Sequence, residues 1–302
     1  MNSNNSKTLY PQPVWKRYFS LVKFSHTIFA MPFALIGFSL AIAKKEVVNP
    51  KPWWELLILV ILCMVFARSA AMAFNRWLDA KYDALNARTA IREIPQGLIT
   101  PANAILFVLF NCIAFIVCCY LINSICFWLS FVALFIVLFY SYTKRFTSLC
   151  HLVLGIGLSL APIGAFLAVS GHFEILPLLF SGTVLFWVSG FDIIYALQDE
   201  DFDKQHDLWS IPAVLGKKRA LGVSSILHVA SAICIIGAGV YGHFGICYWI
   251  GVTIFIGMLF YQHSVVKPQD LSRVNLAFMT ANGIASVIFS VFVLLDLFFS
   301  IK

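Results

Sequence analysis

Long apolar stretches alternate with short polar breaks along nearly the whole chain. Nine of them, near 26–44, 56–77, 101–122, 125–142, 149–170, 175–197, 219–241, 246–264 and 275–299, each run to roughly 20 residues. That is the length at which an α-helix crosses a hydrocarbon layer about 30 Å thick. None shows the strict alternation of a half-buried strand. The pattern predicts an all-α polytopic membrane protein, with about nine transmembrane helices in one bundle. Residues 1–25 read as an N-terminal cytoplasmic segment and 26–302 as one membrane domain. The first apolar stretch follows about 25 polar and basic residues and lacks a small-residue cleavage site, so it reads as a retained helix.

Composition agrees with the pattern. The chain has 302 residues, 61% hydrophobic and 12% charged, with a mean hydropathy of +0.88, well outside the range of soluble domains. The breaks are uneven in charge. With the N-terminus inside, 16 of the 21 Lys and Arg lie on the cytoplasmic side and four outside, leaving Arg68 within a helix. That split is the positive-inside signature, and it fixes the orientation. The net charge of +7 therefore reports topology, and no soluble basic face exists for nucleic acid. All eight cysteines lie in or beside apolar stretches without a CxxC pair, so they read as small hydrophobes and not as disulfides or metal ligands.

The acidic residues are concentrated. Of 14 carboxylates, eight fall in the two long inner connections, 78–100 and 198–218. One cluster, Arg68-x6-Asn75-x3-Asp79-x3-Asp83, ends the second predicted helix. A four-residue step turns a helix by about 400°, which stacks Asn75, Asp79 and Asp83 along one face. Asp192-x2-Tyr195-x3-Asp199-x3-Asp203 repeats the arrangement at the end of the sixth. Each cluster is followed by a Pro and a Gly, Pro95 and Gly97 or Pro212 and Gly216, the mark of a weak internal repeat with a site at its interface. A solvated helix end would explain one cluster, and an ion pair with Arg68 would explain Asp192 within the bilayer. Two matched clusters at one level point instead to oxygen ligands for Mg²⁺ ions clamping a diphosphate. Lys81, Arg88, Arg92, Lys144 and Arg145 lie on the same side to neutralise its remaining charge. The apolar bundle would keep water from an allylic cation.

These residues resemble the UbiA superfamily of intramembrane prenyltransferases. The matching elements are Asn75-x3-Asp79-x3-Asp83, Asp199-x3-Asp203 preceded by Tyr195-Ala196, and Tyr140-x3-Lys144. The family usually has Asp directly after the Asn, where this chain has Arg76. The resemblance implies that Asp79, Asp83, Asp199 and Asp203 bind Mg²⁺ and diphosphate, and that Asn75 orients the first cluster. Lys144 would contact diphosphate beside Tyr140, and Lys23 would add a basic group. Asp192 and Tyr195 would line or polarise the acceptor pocket, and Arg68 would be among the substrate-binding residues. It further implies transfer of a polyprenyl chain from polyprenyl diphosphate to a hydroxylated aromatic acid, with no obligate protein partner. The stretches Arg68–Arg76, Asp83–Thr89 and Gly190–Asp199 resemble a 4-hydroxybenzoate polyprenyltransferase-like bacterial branch. Some of its members, the MqnP type, serve menaquinone synthesis with a dihydroxynaphthoate acceptor.

Haem, chlorophyll and lipid acceptors remain within the same family. An ion-coupled transporter is the rival class, though its acidic pairs belong near the midplane. Gly155-x-Gly157 with Pro162 and Gly164 reads as helix packing and a kink. Among the histidines, only His26, near Lys23, is a site candidate, and the others read as packing residues.

Overall fold

In the computed structural model, residues 13–22 and 29–299 are described; Lys23 and His26 lie outside them. The described residues are predominantly helical and form no strand beyond an isolated bridge between Lys267 and Asp270. A short helix α1 (Val14–Val22) precedes α2 (Met31–Ala43), α3 (Trp53–Leu78), α4 (Ala80–Leu85), α5 (Pro101–Ile122), α6 (Ser124–Thr143) and α7 (Cys150–Ser170). Then come α8 (Ile175–Ala196), a 3₁₀ turn (Leu197–Asp199), α9 (Glu200–Gln205), α10 (Ile211–Leu215), α11 (Lys217–Tyr241), α12 (Ile246–Val265), a π turn (Leu276–Ala281) and α13 (Asn282–Phe299).

Eight of the described helices are long and apolar enough to cross a membrane, and the protein is multi-pass. The first apolar stretch is the exception. Its described helix α2 has 13 residues, about 20 Å at 1.5 Å per residue, and is buried on most sides. It lies between two groups of helices, packing on α7 and α13. One group is α3, α5, α6 and α7; the other is α8, α11, α12 and α13. The helices α7 and α8 join them.

Close packing depends on small residues at the crossings. A Cβ on Gly37 of α2 would lie 2.0 Å from the Pro162 carbonyl oxygen of α7, and one on Gly155 would lie 2.5 Å from the Leu185 carbonyl oxygen of α8. These glycines are therefore packing residues, as their setting inside apolar runs suggests. At the centre, Trp187, Phe33, Phe255 and Phe289 interlock with ring centroids 5.5–6.3 Å apart. The indole N–H of Trp187 donates to Asn282 Oδ1 at 2.8 Å, so its polar edge is satisfied without water. The Asn282 amide in turn donates to the Ala277 and Phe278 carbonyls of the π turn at 3.3 and 2.9 Å.

The two halves match as the Pro/Gly pattern predicts. Both connections end on a glycine of positive φ, +69° at Gly97 and +77° at Gly216, shortly before the long helices α5 and α11. A side chain is disfavoured there. Each half then pairs its aspartate-bearing helix with the helix after the connection, α3 with α5 and α8 with α11.

Candidate active site

The aspartate clusters do not stand on unbroken helices. Asp79 is the turn residue between α3 and α4, with φ −90° and ψ 4°, and Asp199 closes the 3₁₀ turn after α8. Helical continuity is nearly kept, since Asp83 N–H donates to the Asp79 carbonyl at 2.8 Å. The breaks turn both clusters inward over a single cavity of about 510 Å³. Arg68, Asn75, Asp79, Asp83, Tyr140, Lys144, Asp192, Tyr195, Asp199 and Asp203 all line it. These ten residues come from α3, α4, α6, α8, α9 and the turns beside them, so the topology converges what is up to 135 residues apart in sequence. Lys81 is exposed and is not among the lining residues.

Each carboxylate has a definite partner. Buried Asp79 accepts from Lys144 Nζ at 3.1 Å and Arg145 Nη2 at 2.9 Å, and Asn75 Nδ2 adds a bond at 3.2 Å. The Arg92 guanidinium grips both oxygens of Asp83 at 2.8 and 2.9 Å. Arg88 reaches from the first connection to Asp199 in the second cluster at 3.1 and 2.6 Å, while its Nη1 touches the Tyr195 hydroxyl at 3.2 Å. Ser210 donates to Asp203 at 2.8 Å. Such charge-assisted pairs hold the acidic face together.

Arg76 stands where an acid is expected, and its charge is directed at Glu93 instead of the aspartates. Both side chains are buried, and the other Glu93 oxygen accepts from Ser20 on α1. The trio ties α1, α3 and the first connection together at the edge of the cavity.

The alternative for Asp192, an ion pair with Arg68, does not form. The partner of Asp192 is His151, near the start of α7, with Nδ1 at 2.7 Å from Oδ2. The sequence pattern reads His151 as packing. The signal for it is its level, seven residues beyond Lys144 on the next helix, but level alone does not separate a site residue from a filler. Arg68 has no acidic partner within ion-pair distance among the described residues, and its Nε is buried without a hydrogen bond.

Arg68 also marks a boundary. It lines both the polar cavity and a second, apolar one of about 300 Å³, together with Met72, Tyr140, Leu154 and Leu158. The apolar cavity runs among α3, α5, α6 and α7 as far as Ile122, Leu167 and Phe173. From Leu154 to Leu167 is 13 residues along α7, about 20 Å of helix rise. Cys63, Cys119 and Cys126 are on its wall as free thiols, with Cys63 and Cys119 sulfurs 3.7 Å apart.

The donor set of the two clusters suits a hard cation, since it consists of carboxylates and the Asn75 amide oxygen. Among the described residues, the group of three ligand side chains whose donor atoms converge within 4.8 Å is Glu46, His172 and Glu174, near the opposite helix ends. The aspartates are spread around the cavity instead. That spacing fits Mg²⁺, which takes one or two carboxylates and completes its shell with water and phosphate oxygens.

A polar, acid-lined chamber thus shares a wall with a deep apolar one inside a multi-pass helical bundle. The UbiA prenyltransferase family matches residues 30–284, and the chain belongs to that family and is a prenyltransferase. Its relatives include the 4-hydroxybenzoate octaprenyltransferases of Nitrosomonas europaea, 30% identical over 81% of this chain and 83% of that one, and of Nitrosospira multiformis, 29% identical over 80% and 83%. Among solved structures, a UbiA homologue from Aeropyrum pernix superposes with a TM-score of 0.80 at 31% identity, covering 90% of this chain and 98% of the other. A homologue from Archaeoglobus fulgidus, bound to GPP and Mg²⁺, gives 0.72 at 20% identity, covering 92% and 98%; it shares the fold.

Proposed function

We propose that the protein transfers a polyprenyl group from polyprenyl diphosphate to a hydroxylated aromatic acid, of the 4-hydroxybenzoate or dihydroxynaphthoate type, in quinone synthesis at the bacterial cytoplasmic membrane. The observation that carries this reading is the junction at Arg68, where the two cavities share a wall.

The diphosphate belongs in the polar chamber and the isoprenoid tail in the apolar one, which places the scissile C1–O bond at the junction. Asp79, Asp83, Asp199 and Asp203 would hold Mg²⁺ there, with Asn75 orienting Asp79. When bound, Mg²⁺ neutralises the charge that develops on the departing pyrophosphate. Lys144, Arg88 and Arg92 supply further positive charge to the phosphate oxygens, and Lys23 falls outside the described residues. Ionisation leaves an allylic cation against Leu154, Leu158 and Met72, walls that exclude water.

The acceptor is the part most specific to this chain. Arg68 is half-buried with its Nε fully buried and unbonded, and a guanidinium so placed without an acidic partner is costly until an anion pairs with it. Arg68 therefore suits the carboxylate of an aromatic acid, bound edge-on by two parallel N–H donors. The names of the relatives support a hydroxybenzoate. The test is an acceptor panel: purified enzyme, one polyprenyl diphosphate and Mg²⁺, with 4-hydroxybenzoate, a dihydroxynaphthoate or the matching phenols lacking the carboxyl group. Prenylation of the acids and not of the phenols is expected. Equal use of the phenols would overturn the role of Arg68.

A further inference from the structure

Bonding a ring carbon to the prenyl group leaves a proton on that carbon, and aromaticity returns only when a base removes it. We propose that Asp192 is this base and that His151 is the residue that positions it; the assignment rests on the aromatic-acceptor reading above.

Four of the other carboxylates around the cavity are each held by a fixed cation. Asp79 is held by Lys144 and Arg145, Asp83 by Arg92, Asp199 by Arg88 and Glu93 by Arg76. A fixed cation beside a carboxylate favours its charged form and makes it a poor proton acceptor. Asp203 accepts from Ser210 at the far side of the second cluster. Asp192 differs in kind, because its partner is an imidazole.

The state of that imidazole follows from its second nitrogen. The Ile211 backbone N–H donates to His151 Nε2 at 3.3 Å, so Nε2 presents a lone pair. The ring proton is then on Nδ1, which donates to Asp192 Oδ2 at 2.7 Å. This tautomer is assigned from the hydrogen-bond network. His151 is buried and fixed at both nitrogens, so it holds the Asp192 carboxylate in one orientation without neutralising it. Both residues line the chamber that Arg68 and Tyr140 also line, where the acceptor ring is expected.

The electrons balance without an outside reagent. The C1–O bond breaks and its pair leaves with pyrophosphate. A ring π pair, from the carbon beside the hydroxyl, forms the new bond to C1. The C–H bond at that carbon then breaks, its pair returns to the ring, and the proton passes to Asp192 Oδ1 while Oδ2 keeps the His151 bond. Asp192 is the catalytic residue and His151 the positioning residue.

The experiment uses the full chain, purified in detergent with Mg²⁺, geranyl diphosphate and an aromatic acid, either ordinary or deuterated beside the hydroxyl. General-base catalysis is worth about 10²–10⁴-fold. Asp192→Asn, which is isosteric and keeps a His151 contact, should lower kcat by at least about 100-fold while the KM for diphosphate stays near that of the wild type. An unchanged diphosphate KM also shows that the variant is folded. His151→Ala should lose less, and a primary deuterium isotope effect on kcat should appear as proton removal becomes limiting. His151→Gln, whose amide can still donate to Asp192, should recover most of the rate and suppress that effect. If the wild type is active and Asp192→Asn turns over equally well, this assignment alone is sunk. The same holds if His151→Ala loses only acceptor KM and shows no isotope effect. A wild type that prenylates no aromatic acid sinks the functional reading and the base with it.

Discussion

Arg88 grips the carboxylate of Asp199, 111 residues further along the chain, through paired bonds of 3.1 and 2.6 Å. This contact latches the connection after the first aspartate cluster onto the second. Burial opposes the Arg88 charge, but the Asp199 carboxylate, helped by Tyr195 and Asp83, more than offsets it and holds the guanidinium above the usual arginine pKa. The Arg88 guanidinium is therefore charged throughout the pH range of an assay. A diphosphate entering the chamber competes with Asp199 for the same fork of donors.

Arg88→Gln should accordingly raise the KM for polyprenyl diphosphate by about tenfold, the worth of one charge-assisted bond near 1.4 kcal/mol. Arg88→Lys should rescue little, because an ammonium cannot make the paired contact. Steady-state kinetics with varied diphosphate at fixed acceptor checks this, and an unchanged KM in both variants would refute it.

Removing an aspartate from either cluster tests the shared metal role. Asp79→Ala and Asp199→Ala should each abolish Mg²⁺-dependent transfer in membranes. Milder Asp→Asn changes should shift the Mg²⁺ concentration for half-maximal rate upward. If either alanine variant turned over near normally at ordinary Mg²⁺, a two-cluster site would be untenable.

Much of this is legible in sequence. Spacing alone marks Asp79, Asp83, Asp199 and Asp203, because like charges repeated at four-residue steps on two matched helix ends repel unless a cation joins them. The helices are legible because apolar length near 20 residues has one common use. What the one-dimensional pattern lacks is pairing between distant segments. Nothing near Asp192 names His151, 41 residues away, since both the α7–α8 crossing and the Ile211 amide are needed to bring it there. The same holds for Arg76. In sequence it reads as a departure beside Asn75, and only the fold shows it turned toward Glu93.

That Arg76–Glu93 pair carries its own prediction. Both side chains are almost wholly buried, at 4% and 9% exposure, and removing one partner leaves an uncompensated charge. Glu93→Leu should destabilise the protein by about 3–5 kcal/mol, read as a lower midpoint in thermal unfolding in detergent. The double variant Arg76→Met/Glu93→Leu should recover most of the loss, since the buried charge is then gone. Equal midpoints for the single variant and the wild type would show that the pair does not support α1 and the first connection.

The apolar chamber makes the last prediction, and it separates chain length from chemistry. Gly164 lines that chamber on α7, and a Cβ built there meets nothing within 4 Å. A large side chain can therefore enter the space without forcing the backbone. Gly164 is ten residues beyond Leu154, about 15 Å along the helix from the junction with the polar chamber. Gly164→Phe should leave transfer from short donors such as geranyl diphosphate close to the wild-type rate, because their tails end before the new ring. Long polyprenyl donors should be used far more slowly, with the loss growing once the tail must pass position 164. Rates with a ladder of donor lengths give the result directly. A uniform loss at every length would mean that the ring disturbs the fold, and no loss at any length would mean that the tail leaves the bundle by another route.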